Sequence, residues 1–105
     1  MLRRNGLQIV ARQVGYRVGE LDVVARDGPV LVFVEVRSRA RRAPDGTAAQ
    51  SVDRIKRRRL RLAAQLYLQS HFGDRWPPCR FDVVIAQGDR FEWLRAAFGA
   101  EEDTQ

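Results

Sequence analysis

Cysteine is almost absent from this 105-residue chain. Cys79 stands alone, which excludes an internal disulfide and any cysteine-rich zinc site. A single thiol fits a reducing, cytoplasmic compartment. Histidine is equally scarce: His71, near a helix end and without a partner motif, reads as a surface or helix-dipole residue. No stretch approaches the roughly 20 apolar residues of a membrane span, and no apolar run of signal-peptide length follows the basic start MLRR. Internal repeats and low-complexity linkers are also lacking. The expectation is one domain over residues 1–99, followed by a disordered acidic tail at 100–105.

Basic residues are abundant. Lys and Arg number 19 against 13 Asp and Glu, a formal charge of +6. That balance points to a polyanionic partner, most simply nucleic acid. The hydrophobic share of 45% and charged share of 30% suit a folded domain and not a disordered one.

Residues 1–6 read as the tail of a helix stopped by Asn5-Gly6, so the N-terminal helix is expected to be truncated. Leu7 to Val14 reads as a strand broken by Gly15. Arg17 to Arg26 and Pro29 to Arg37 form a hairpin about Asp27-Gly28. Within the hairpin Val30-Leu31-Val32-Phe33-Val34 is apolar enough for a strand covered on both faces. A loop follows from Ser38 to Thr47. A long helix then runs from Thr47, its N-cap, to Phe72. Cys79 to Ala86 is a fourth strand, Arg90 to Leu94 a short fifth, and Ala96 to Phe98 a helical turn. A strand–helix–strand crossover makes the third and fourth strands parallel, so the sheet is mixed.

The hairpin holds three carboxylates: Glu20, Asp22 and Glu35. Strands are poor in such residues, because a charge on a half-buried face is costly unless paired or metal-bound. With Asp27-Gly28 as the loop, Arg26 faces Pro29, Glu20 faces Glu35 and Asp22 faces Phe33. Glu20, Asp22, Glu35 and Arg37 then share one sheet face, with Asp22 diagonal to Glu35 at about 7 Å of backbone separation. Two readings follow. One is a divalent cation, Mg²⁺ or Mn²⁺, held by the carboxylates for metal-assisted hydrolysis. The other is a Glu–Arg salt-bridge network on a solvated sheet.

GELDVVARDG…LVFVEVRSR, then SVDRIKRRRLRLAAQLYL, then CRFDVV closely resembles the YraN family of uncharacterised bacterial proteins, from about Asn5 to Phe98. That family is similar to the restriction-endonuclease-like, or PD-(D/E)xK, nucleases, among them the Holliday-junction resolvases. The resemblance implies an α/β, restriction-endonuclease-like fold: a mixed central sheet of about five strands with flanking helices. It implies a metal held by Asp22, Glu35 and the Val36 carbonyl, with Arg37 neutralising the scissile phosphate. By analogy with the resolvases it also implies a homodimer. Two departures stand out. The signature lysine is Arg37, which can hold phosphate but cannot act as a base at neutral pH. The acidic residue often found on a preceding helix is missing, and Glu20 is the candidate substitute.

Residues 37 to 61 hold ten Arg or Lys and two acidic residues, Asp45 and Asp53. Helical spacing puts Arg54, Arg57, Arg58 and Arg61 on one stripe and Val52, Ile55, Leu62, Ala63 and Leu66 opposite. That stripe, with Arg39, Arg41 and Arg42 of the loop, is the expected phosphate-backbone footprint; a solvated helix face is the plainer reading. Lys56 falls on the apolar side, turned toward the carboxylates or snorkelling, and Gln50 stands near the site entrance. Arg80 and Asp82 share a strand face as an ion pair. Trp76, Phe81, Phe91, Trp93 and Phe98 are read as core or cover, and Cys79 as a small buried apolar residue. The functional expectation is a metal-dependent endonuclease acting on DNA, with a non-catalytic nucleic-acid-binding module as the alternative.

Overall fold

The computed structural model describes residues 2–38 and 54–98. The element order is a 3-10 turn (Arg3–Asn5), β1 (Gln8–Tyr16), β2 (Gly19–Asp27), β3 (Val30–Ser38), α1 (Arg54–Phe72), β4 (Cys79–Gln87) and β5 (Arg90–Phe98). The strands form one sheet in the order β1-β2-β3-β4-β5, antiparallel except for the parallel β3–β4 pair that α1 connects. This is the expected α/β fold with a mixed five-stranded sheet, consistent with a compact nuclease-like domain. Among the described residues one α-helix flanks it. None of them forms a helix long and apolar enough to cross a membrane.

Alternation along β3 divides the core. Leu31 and Phe33 pack with Leu60, Ala63, Ala64, Tyr67 and Leu68 of α1. Val32 and Val34 face the other way, where Leu7, Ala25 and Val84 join them, with Leu2 and Trp93 packed against the group. The continuously apolar run in β3 is explained by this two-sided cover. Under α1 the rings of Tyr67, Phe33, Phe81 and Phe98 form a chain with successive centroids 6.0, 5.4 and 4.9 Å apart.

Several boundaries differ from the sequence reading. β1 continues through Gly15, which pairs with Glu20, and the β1–β2 turn is Arg17-Val18. Ladder hydrogen bonding to β2 outweighs the glycine there. Ala96 to Phe98 belongs to β5 and not to a helical turn. A register shift accompanies a left-handed Ala96 (φ 49°), the mark of a bulge that bends the edge strand. The β2–β3 loop is Gly28-Pro29, because Asp27 pairs with Val30. Gly28 has φ 60°, as the first central residue of a II′ turn requires, and the fixed φ of proline suits the second. Phe91 and Trp76 are exposed, not core. The helix stripe is also rotated: Arg61 is buried, whereas Ile55, Leu62 and Leu66 are exposed.

A polar knot ties β4 to its neighbours. Asp82 is 0% exposed. It accepts Arg80 Nε at 3.0 Å, Trp93 Nε1 at 3.0 Å and the Ala96 N–H at 2.9 Å, while Arg80 Nη1 reaches Asp27 Oδ2 at 2.8 Å. The Ala96 bond holds the bulge, and the guanidinium links the β2 turn to β4. A buried charge stripped of its partner costs about 3–5 kcal/mol. Asp82→Ala is therefore expected to lower stability in urea by about that amount. An unchanged unfolding midpoint would show the knot to be dispensable.

Candidate functional site

Glu35 follows Leu31 and Phe33 on the α1 side of β3 and is 4% exposed. Burying a carboxylate is unfavourable unless its oxygens find partners. Lys56 Nζ from α1 and Arg37 Nη1 from the same strand each lie 3.4 Å from Oε2. Oε1 is buried and receives no hydrogen bond. The neighbouring acid is Asp22. The paired residues of β2 and β3 end at Val23–Val34, and Asp22 lies next to Glu35, near enough to hydrogen-bond with it and repel it. The register of the paired residues differs by two from the one an Asp27-Gly28 loop would set.

Asp22 also takes the place of a backbone bond. Paired residues end at Val23–Val34. Beyond them Asp22 Oδ2 accepts the Val36 N–H at 2.9 Å. Leu21 and Val24, three residues apart, both join the α1-side core, which a regular strand does not allow. β2 therefore turns over this stretch, and the Asp22 carboxylate satisfies a donor that the ladder leaves open.

The two carboxylates disturb each other. The Glu35 pKa is raised from 4.5 to about 7, first by burial, then by hydrogen bonding to and repulsion from Asp22; Lys56 acts in the opposite direction. Sharing one proton between the acids relieves the repulsion, and so would a divalent cation. The residues fit such an ion. They offer hard oxygen ligands, and the buried Glu35 Oε1 has no donor. No group of three or more Asp, Glu, His or Cys converges among the described residues, which offer an ion two carboxylates here.

The other expected site residues separate into distinct places. Glu20 is exposed and lines a hollow with Arg17, Lys56, Arg58 and Arg59, so the three-carboxylate cluster does not form. Val36 enters through its N–H. Arg37 and Lys56 both join Glu35. Arg54 and Arg58 are exposed. Arg57 and Arg61 instead lie over the Phe98 ring, each 5.6 Å from its centroid. Two members of the expected phosphate stripe are thus cation–π partners of the core. Arg39, Arg41, Arg42, Gln50, the Thr47 cap and the acidic end fall outside the described residues.

Two features were not anticipated from the sequence. A Cβ on Gly19 would stand 3.0 Å from the Arg59 carbonyl oxygen, so β2 starts hard against the α1 backbone. The four-residue interval from Arg57 to Arg61 was a usable signal for two cations on one ring, but it pointed nowhere while Phe98 was read as a helical turn. His71 stacks on Tyr67 at 4.0 Å and makes a 3.0 Å contact with its carbonyl, and Cys79 donates to the Pro77 carbonyl at 3.1 Å.

The profile of a family described as "Uncharacterised protein family UPF0102" matches residues 1–86. A UPF0102 protein of Xanthomonas campestris pv. campestris is 53% identical over 103 residues, covering 96% of this chain and 84% of its own length. One from Ralstonia nicotianae is 48% identical, covering 95% and 78%. Another from Dechloromonas aromatica is 46% identical, covering 96% and 81%. These matches bear out the resemblance to YraN-type proteins.

The raised Glu35 pKa has a thermodynamic consequence. The folded state holds this proton more tightly than the unfolded chain does. The associated stability is complete below pH 4.5 and is lost as pH rises through about 7. The shift corresponds to about 3 kcal/mol. In metal-free buffer Glu35→Gln should lose less stability than the parent between about pH 5 and pH 8. Parallel urea midpoints across that range would contradict the raised value.

Proposed function

This chain belongs to the uncharacterised protein family UPF0102, and we propose that it is a metal-dependent endonuclease acting on DNA through Asp22 and Glu35. The observation behind this reading is a buried carboxylate whose Oε1 receives no hydrogen bond, beside a second acid that repels it. Mg²⁺ or Mn²⁺ takes one or two protein carboxylates and completes its shell with water and phosphate oxygens. When bound, such an ion supplies a hydroxide nucleophile and stabilises charge on the phosphate. Asp22 is held for this by the Val36 N–H, and Glu35 by Lys56 and Arg37.

Arg37 serves a phosphate oxygen, the role that the planar guanidinium of an arginine suits, and not a proton transfer. Lys56 brings a lysine ammonium to Glu35 from α1, as the signature lysine would from the strand. Exposed Arg54, Arg58 and Arg59 supply sequence-independent attraction to the backbone. The basic residues of α1 contribute charge and not a base-reading pattern, which favours recognition of DNA structure.

The second reading is a non-catalytic nucleic-acid-binding module in the cytoplasm. Its support is that Lys56 and Arg37 already compensate Glu35. The two readings separate on a panel of linear, nicked and branched DNA with Mg²⁺ or Mn²⁺. The nuclease reading expects cleavage that falls by about 10²-fold or more in Asp22→Ala and Glu35→Ala. Binding without cleavage by the parent would select the module.

A further inference from the structure

α1 turns Leu60, Ala63, Ala64, Tyr67 and Leu68 to the sheet together with Arg61, yet Ile55 (67% exposed), Leu62 and Leu66 remain exposed. They are not scattered. Ile55 and Leu62 line an open hollow of about 640 Å³ with Arg17, Val18, Gly19, Glu20, Lys56, Arg58, Arg59 and Leu60. Val18 and Leu62 also wall a second hollow of about 310 Å³, completed by Gln65, Leu66, Gln69 and Trp76. The shared residues make the two into one groove along α1.

The groove has a direction. At one end stand Arg17, Lys56, Arg58 and Arg59 against a single acid, Glu20. Lys56, which also pairs with Glu35, is the wall that this end shares with the carboxylate site. At the other end the Trp76 indole is 44% exposed and pinned by a 2.7 Å hydrogen bond from Nε1 to the Gly73 carbonyl. From Lys56 to Gln69 the helix advances about 20 Å. The floor is set by Gly19, where the start of β2 meets the Arg59 backbone.

A duplex presents only its charged backbone to such a surface and has no use for an apolar floor ending in an indole. A strand with unstacked bases uses both, with phosphates on the cations and bases on the apolar and aromatic faces. We propose that this groove holds a single strand of nucleic acid leading out of the Asp22–Glu35 site, with a base stacked on Trp76. The inference rests on the nucleic-acid reading above and specifies its substrate as DNA with a single-stranded arm.

The test is binding in EDTA, read by anisotropy of a labelled oligothymidylate of about 15 nucleotides and of a duplex of equal length. The single strand should bind more tightly than the duplex. Trp76→Ala should weaken single-strand binding about tenfold and leave duplex binding nearly unchanged. Trp76→Phe should restore most of the loss. Arg58→Glu should weaken binding and lower the slope of log K against log salt by about one. Both side chains are exposed, and thermal melts of the variants establish that they fold. Equal affinity of parent and Trp76→Ala for the single strand overturns the proposal. So does a concentration-dependent dimer that Trp76→Ala makes monomeric, because a second copy would then fill the groove. The nuclease reading fails separately, by absence of cleavage with metal present, an outcome that binding in EDTA does not touch.

Discussion

The arrangement depends on one unfavourable fact: Glu35 is buried on the α1 face of β3, beside a second carboxylate. Removing that charge from water costs free energy, and Asp22 adds repulsion. Lys56 and Arg37 offset part of the cost through Oε2 and leave Oε1 without a donor. Several other features follow from this placement. β2 must part from β3 for Asp22 to reach the Val36 N–H. α1 must lie close enough for Lys56 to reach the strand. Close approach of α1 requires that residue 19 have no side chain.

Asp82 is the informative contrast. Both acids are buried in neighbouring strands, and β3–β4 pairing sets Asp82 beside Val34 and Glu35 beside Val83. They therefore belong to opposite faces of the sheet. Asp82 is saturated by a guanidinium, an indole N–H and a backbone N–H, and serves as a brace for the β5 bulge. Glu35 has two cations on one oxygen, each at 3.4 Å, an acid neighbour and a raised pKa. A satisfied buried carboxylate stabilises the fold, whereas an under-satisfied one with a raised pKa is the arrangement that functional sites favour. The same principle separates the arginines. Arg57 and Arg61 are committed to the Phe98 ring, and Arg58 and Arg59 face outward.

Much of the fold was legible because its signals were local. Strand periods, the glycine punctuation and the crossover between β3 and β4 followed from neighbours in sequence. The nearness of Asp22 and Glu35 was legible too, since the hairpin brings the two acids together. The register was not, because a Gly28-Pro29 turn and an Asp27-Gly28 turn differ by two residues in every pair. The rotation of α1 was the larger miss. Helical spacing identifies a stripe of arginines but does not say that a ring will stand under them. Phe98 reaches that place only because β5 runs through a bulge that Asp82 holds, a contact between residues fourteen apart. Glu20 was misplaced for a related reason: alternation assumes a regular strand, and β2 turns between Leu21 and Val24.

The account's central claim is that Asp22 and Glu35 form a cation site completed by few protein ligands. The most direct measurement is a crystal structure of the protein soaked in Mn²⁺, with anomalous scattering used to locate the metal. The account predicts a peak within about 2–2.6 Å of both carboxylates, with the buried Glu35 Oε1 among its ligands. No Mn²⁺ between them, with Lys56 still paired to Glu35, would contradict it.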